Sequence, residues 1–223
     1  MSHPERNPAR VIRRREPLVS LIATVCRAAL ASSAACVLIA APAHAAATTA
    51  APGCPVKPTV QPFAPWQDLA DYVLAPGGDL ERNRSTWTLA GGAAAVEGNE
   101  PFQVGAATDH TSLSLPAGSS ATTAQMCIGI EHKTMRFFAK ANTSSGSLRV
   151  EVLLAGRGGR TRAVSIGTIK AGTDWAPTAE LPMIVNKLAP KHGNAIQVAF
   201  RFTPRSSAGW TIDDVYVDPY RSR

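Results

Sequence analysis

Residues 147–154 read S-L-R-V-E-V-L-L, and residues 195–202 read A-I-Q-V-A-F-R-F. In the first stretch Leu148, Val150, Val152 and Leu154 alternate with mostly polar residues. In the second, Ile196, Val198, Phe200 and Phe202 do the same. A period of two puts each apolar set on one side of an extended chain, so each stretch predicts a strand with one buried face and one wetted face. Residues 111–115, T-S-L-S-L, repeat the pattern in miniature. Further strands are expected at 72–75, 86–89, 93–97, 123–130, 135–141, 163–169 and 210–217. Turn signals separate them: Pro76-Gly77-Gly78, Gly91-Gly92, Pro116-Ala117-Gly118, Ser144-Ser145-Gly146 and His192-Gly193-Asn194. Only 67–73 and 183–188 suit short helices, the second bracketed by Pro182 and Pro190. Many short strands at this spacing predict an all-β sandwich or barrel.

The chain before this region has another character. Arg10, Arg13, Arg14 and Arg15 precede an uncharged run, A-A-L-A-S-S-A-A-C-V-L-I-A-A at 28–41, and then Pro42-Ala43-His44-Ala45. Basic, apolar and small residues in that order make a secretory signal peptide over 1–45. Cleavage is placed after Ala45, with Ala43 and Ala46 as alternatives. A spanning helix needs about 20 apolar residues, and Arg27 cuts this run short. Residues 46–53, A-A-T-T-A-A-P-G, read as a flexible leader, and 54–223 as one domain.

Export changes the meaning of the charge. The whole chain has 23 Lys plus Arg against 16 Asp plus Glu, a net +7. Residues 1–45 hold six Arg and two Glu, which leaves 17 basic and 14 acidic residues, or +3. So small a charge on a secreted domain argues against a nucleic-acid partner. Of the cysteines, only Cys54 and Cys127 remain after cleavage, and an oxidising compartment pairs them as one disulfide.

The last strand reads G-W-T-I-D-D-V-Y-V-D-P over 209–219. Strict alternation puts Trp210, Ile212, Asp214 and Tyr216 on one face, with Thr211, Asp213, Val215 and Val217 on the other. Either way a carboxylate shares a face with apolar side chains, and burying one is costly unless it is paired or holds a metal. Its partner would be an Arg (Arg82, Arg84 or Arg201), backbone amides or a cation. Near the other end, Gly77-Gly78-Asp79-Leu80-Glu81 leads to Trp87. These two ends resemble the jelly-roll sandwiches of the carbohydrate-binding-module and galactose-binding-like group, and the adhesion domains of the MAM family. There a G-D-F-E-like start precedes a Trp, and the last strand reads I-D-D-V. Leu80 departs from the usual Phe. The resemblance spans 77–219 and implies a jelly-roll β-sandwich in which acidic residues from both ends hold a structural Ca²⁺. Carried across, Glu81 matches the early Glu and Asp214 or Asp213 the late Asp, with Asp79 as a further carboxylate beside Glu81. The ion needs six to eight oxygens.

No nucleophile elbow, zinc-protease helix or phosphate loop is present. His110, His132 and His192 stand apart from one another, and Asp109-His110 is the only candidate base pair. Adjacent Asp213 and Asp214 point to opposite faces and do not make a glycosidase pair. Four tryptophans follow the leader. Trp87 and Trp210 lie in strand patterns and belong to the core, whereas Trp66 and Trp175 fall in loop-like stretches where an indole can serve as a platform for a sugar ring. Arg157, Arg160 and Arg162 flank glycines at 156–159 and read as a solvated hairpin tip. The expectation is a secreted, monomeric, non-catalytic domain that binds carbohydrate or a cell-surface component. A structural or protein-interaction sandwich is the alternative, and a small secreted hydrolase a weaker one.

Overall fold

The computed structural model describes residues 48–49, 54–55, 57–155, 160–170 and 172–219. The expected signal peptide at 1–45 and the glycines at 156–159 lie outside them. Along the chain the strands are β1 (Thr48–Thr49), β2 (Lys57–Pro58), β3 (Val73–Leu74), β4 (Thr88–Ala90), β5 (Ala94–Glu97), β6 (Thr111–Leu115), β7 (Ser120–Thr122), β8 (Met126–Ile128), β9 (His132–Ala141), β10 (Leu148–Ala155), β11 (Thr161–Ile169), β12 (Ala176–Pro177), β13 (Leu181–Pro182), β14 (Ile196–Pro204) and β15 (Trp210–Pro219).

Two antiparallel sheets carry the domain. The first runs β11-β10-β14-β7-β4, with β8 also on β14. The second runs β12-β9-β15-β6-β5, with β13 on β9 and β3 on β15. The chain passes repeatedly from one sheet to the other, as the jelly-roll expectation requires. The quoted patterns work as read. Leu148, Val150 and Val152 of β10 and Val198, Phe200 and Phe202 of β14 are all fully buried. Opposite them the second sheet contributes Leu113, Leu115, Met135, Phe137, Ile212, Val215 and Val217. Phe137 meets Phe202 edge-on between the sheets at 5.2 Å, and Trp87 stacks on Phe202 at 5.9 Å. Trp87 and Trp210 are core residues, as expected. On the outer side of the first sheet, Glu151 sits across from Arg201 and accepts two of its N–H bonds, at 3.0 and 2.8 Å.

Several expectations need correction. The strand expected over 123–130 shortens to β8 (Met126–Ile128), and a separate strand, β7 (Ser120–Thr122), precedes it on β14; between them the Thr123 hydroxyl accepts the Phe200 N–H. The helix expected over 67–73 does not form. Gln67 takes a left-handed conformation (φ 65°) that ends a single 3-10 turn over Ala64–Trp66, and Tyr72 pairs with Val60 as a β-bridge. The second expected helix is a 3-10 segment, Val185–His192, that contains Pro190. Within the leader, β1 pairs with β2 where a flexible stretch was expected. The disulfide joins Cys54 to Cys127 in β8, with Cα atoms 5.5 Å apart. Among the described residues no helix is long and apolar enough to cross a membrane.

Candidate functional site

The site is built on the outer face of the second sheet, and a β-bulge in β15 creates it. Thr211, Ile212 and Asp213 face Lys140, Ala139 and Phe138 of β9 in step, but the next pair is Tyr216 with Arg136. Two residues, Asp214 and Val215, therefore oppose one. Asp214 absorbs the extra step at φ 50°, a conformation Asp tolerates better than most residues. Strict alternation, which grouped Asp214 with Trp210, Ile212 and Tyr216, is thus broken at that residue. Trp210, Ile212, Val215 and Val217 all reach the core, while Asp213 and Tyr216 lie outside with Phe138.

Over this outer face packs a second apolar cluster. Phe63, Tyr72, Phe138 and Tyr216 are buried in it, and Trp66, Val104 and Trp175 lean on it half-buried. Phe63 stacks on Phe138 at 5.3 Å, and Trp66 meets Phe138 at 5.3 Å and Phe102 at 4.8 Å. Phe102 is 43% exposed. The loop carrying Phe63 and Trp66 is fastened by Asp68, which accepts hydrogen bonds from the Tyr72 hydroxyl (2.6 Å), the Ala70 N–H (3.1 Å) and Arg136 Nη1 (2.5 Å). The Arg136 guanidinium also lies 4.4 Å over the Phe63 ring and donates to the Thr178 carbonyl. Sequence reasoning treated Trp66 and Trp175 as separate platforms; the fold brings both to one face, neither buried nor fully exposed.

Beyond the aromatic cover the face is polar. Lys140, Thr211 and Ser114 are register neighbours across β9, β15 and β6, all partly exposed. A groove of about 450 Å³ opens over them, lined also by Pro116, Asn142 and Thr173. Lys140 Nζ lies 5.0 Å over the Trp175 ring, which joins the groove to the aromatic cluster.

Beneath the loop at 99–109 is a crowd of carboxyl groups. Asp213 is 0% and Asp214 1% exposed, Glu100 is buried, and Asp79 nearly so. Asp213 accepts the Asp214 N–H (2.9 Å) and the Glu100 N–H (3.4 Å). Asp214 bonds to the Glu100 side chain, and its Oδ1 is buried with no partner. Gly105 marks how close Asp109 stands: a Cβ there would collide with Asp109 Oδ2 and come within 3.5 Å of Asp214 Oδ1. Burial, then the charges of Glu100, Asp109 and Asp79, push the Asp214 carboxyl up to about 8. Burial and the Asp214 charge push Asp213 up to about 9. Among the described residues no arginine reaches the pair. Arg82 goes to Asp79, Arg84 to Thr111 and Arg201 to Glu151.

Of the four expected metal ligands, Asp79, Asp213 and Asp214 belong to this crowd, but Glu81 is bonded at the start of β6. Glu81 accepts N–H bonds from His110 (2.6 Å) and Thr111 (2.5 Å) at the start of β6, and these outweigh its burial and hold its carboxyl below the usual range. Asp213 spends its oxygens on amides. Glu100 and Asp109 were missed, because an acidic residue in a Gly-Asn-Glu-Pro or Thr-Asp-His loop reads as solvated. Among the described residues no group of three or more potential ligands is drawn together as a metal cage. Asp109 does not pair with His110: it accepts the Ala106 N–H, and His110 faces Glu81 and the Thr108 carbonyl.

No family model and no curated protein matches this chain. Solved structures share its general chain path at low identity. The xylan-binding CBM22-1 domain of Xyn10C from Paenibacillus barcinonensis is 12% identical, with 67% of this chain and 94% of that one covered and a TM-score of 0.42. The CBM22-1 and GH10 modules of the Clostridium thermocellum xylanase Xyn10B are 17% identical over 63% of this chain, with a TM-score of 0.42. This chain spans only 27% of the length of those joined modules. A CBM61 domain solved with β-1,4-galactotriose is 17% identical over 65% of this chain and 92% of its own, with a TM-score of 0.35. At such scores the likeness assigns no ligand, and the functional reading rests on the residues of the face itself.

Proposed function

We propose that this chain is a secreted, non-catalytic domain, exported by residues 1–45 and monomeric, that binds carbohydrate across the outer face of its second sheet. One observation carries the reading. Trp66 and Trp175, far apart in sequence, stand half-buried on the same face, next to a groove of hydroxyl, amide and ammonium groups. An indole half sunk in its own domain presents one edge or face to a flat C–H surface. Neighbouring polar groups then orient the hydroxyls of the ring. Affinity gel electrophoresis against soluble glucans, xylans and galactans tests it. Retardation by at least one polymer, lost in Trp66→Ala and Trp175→Ala, supports the reading. No retardation by any polymer favours the protein-interaction alternative, in which Phe102 and Trp66 are covered by a partner protein.

The same proposal includes a cation at the acidic crowd. The orphaned Asp214 Oδ1, with Glu100, Asp109 and Asp79 around it, is an arrangement that either holds a proton or attracts a hard cation, and Ca²⁺ suits carboxylate oxygens. Asp214 and Glu100 would hold it, Asp79 and Asp109 adding charge. Backbone carbonyls and water have to supply most of its six to eight oxygens, since no side-chain cage is preformed. The ion's contribution is structural. Glu100 also accepts the Phe102 and Val104 N–H groups, so the residue that would meet the cation is the one that folds the loop bearing Phe102.

A further inference from the structure

The groove beside Trp175 has a chemical bias that goes beyond carbohydrate in general. No Asp or Glu lines it. Asp174, between Thr173 and Trp175, is exposed and is not part of the lining. The groove's one charge is the Lys140 ammonium, which among the described residues has no carboxylate within ion-pair distance and stands only over the Trp175 ring. Asn142 faces the same space with its acceptor already used: Oδ1 takes the Gly209 N–H at 2.9 Å, which leaves the NH₂ group to donate outward. Thr211 and Ser114 add hydroxyls that can donate. The lining therefore carries one unpaired cation and no anion, beside hydroxyls that both donate and accept. A neutral sugar, whose hydroxyls both give and take, does not use that asymmetry. A carboxylate does, because it only accepts.

We infer that Lys140 and Asn142 make this groove selective for uronic-acid residues, so that the ligand is an acidic polysaccharide whose sugar ring lies against Trp175 with its carboxylate at Lys140. This rests on the carbohydrate reading above and adds the ligand's charge to it.

The test uses polygalacturonate and glucuronoxylan, each beside its own carboxyl-reduced form, with dextran sulfate as a further arm, in affinity gels at low salt. The uronate forms should bind about fivefold more tightly than the reduced forms, the scale of one partly exposed ion pair. Lys140→Met should erase that difference, bringing the uronate and reduced forms of each polymer to equal affinity, and Lys140→Arg should keep part of it. Raising the salt should shrink the preference, since exposed charges are screened. Equal binding of acidic and reduced forms, or a preference that survives Lys140→Met, overturns the selectivity and leaves the carbohydrate reading standing. Retention of dextran sulfate alone overturns the carboxylate assignment. Failure of all five polymers to bind removes the carbohydrate reading itself, and the selectivity with it.

Discussion

The acidic crowd makes a prediction about stability whose sign is fixed by the fold. Asp213 and Asp214 titrate near 9 and 8 in the folded chain and near 3.9 when unfolded. Between those values the native state holds protons that the unfolded state has released. Stability is therefore greatest below the unfolded value and falls as pH rises toward the folded one. Other buried groups confuse the lower range. His132, held neutral by burial and titrating near 4, makes stability rise with pH up to about 6.5. Asp218, near 6, pulls the opposite way up to that point. Above pH 6.5 the aspartate pair dominates. From 6.5 to 8 each retained proton is worth ~2 kcal/mol, which for a domain of this size is ~4–8 °C in Tm. Differential scanning calorimetry in EGTA should thus show Tm falling across that window. Added Ca²⁺ should raise Tm most at pH 8, where it replaces the missing proton, and flatten the slope. Asp214→Asn, which keeps the shape and removes the charge, should reduce the slope and abolish the Ca²⁺ response. A Tm in EGTA that is constant or rises from 6.5 to 8 refutes the electrostatic account. A falling Tm that Ca²⁺ does not alter keeps the retained protons and removes the metal.

Two further outcomes concern the scaffold. Replacing both Cys54 and Cys127 with Ala should lower stability by roughly 4 kcal/mol, the chain-entropy value for a closure of this length, read as a drop in the denaturant midpoint with an unchanged groove affinity. Arg136→Met leaves Asp68 and the Thr178 carbonyl without their cationic donor in a largely buried position, and should cost about 3 kcal/mol and loosen the loop that holds Trp66; hydrogen exchange at residues 60–72 would report it. An Arg136→Met protein with wild-type midpoint and exchange would mean that the Phe63 and Phe138 packing holds this loop alone.

What the sequence disclosed and what it hid divide along physical lines. Alternation in SLRVEVLL and AIQVAFRF announced the two strands that meet at the centre of the first sheet, because burial on one face writes itself into every second residue. The cysteine pair was legible because only two cysteines, Cys54 and Cys127, follow the N-terminal apolar run. The bulge at Asp214 was not, since one inserted residue changes the facing of everything after it without altering composition. Glu100 was invisible for a different reason: its role depends on β15 lying beneath its loop, a contact 113 residues away in sequence. Trp66 and Trp175 were singled out correctly as loop tryptophans away from the inter-sheet core, but only the folded sheet puts them on one face.

The central claim is that carbohydrate rests on that face. Tryptophan-selective oxidative footprinting with mass-spectrometric readout, with and without saturating polysaccharide, tests it directly. Trp87 and Trp210, buried in the core, should stay unreactive in both states. Trp66 and Trp175 should react in the free domain and be protected in the bound one. Undiminished oxidation of both at saturating polysaccharide would place the ligand elsewhere and contradict the account.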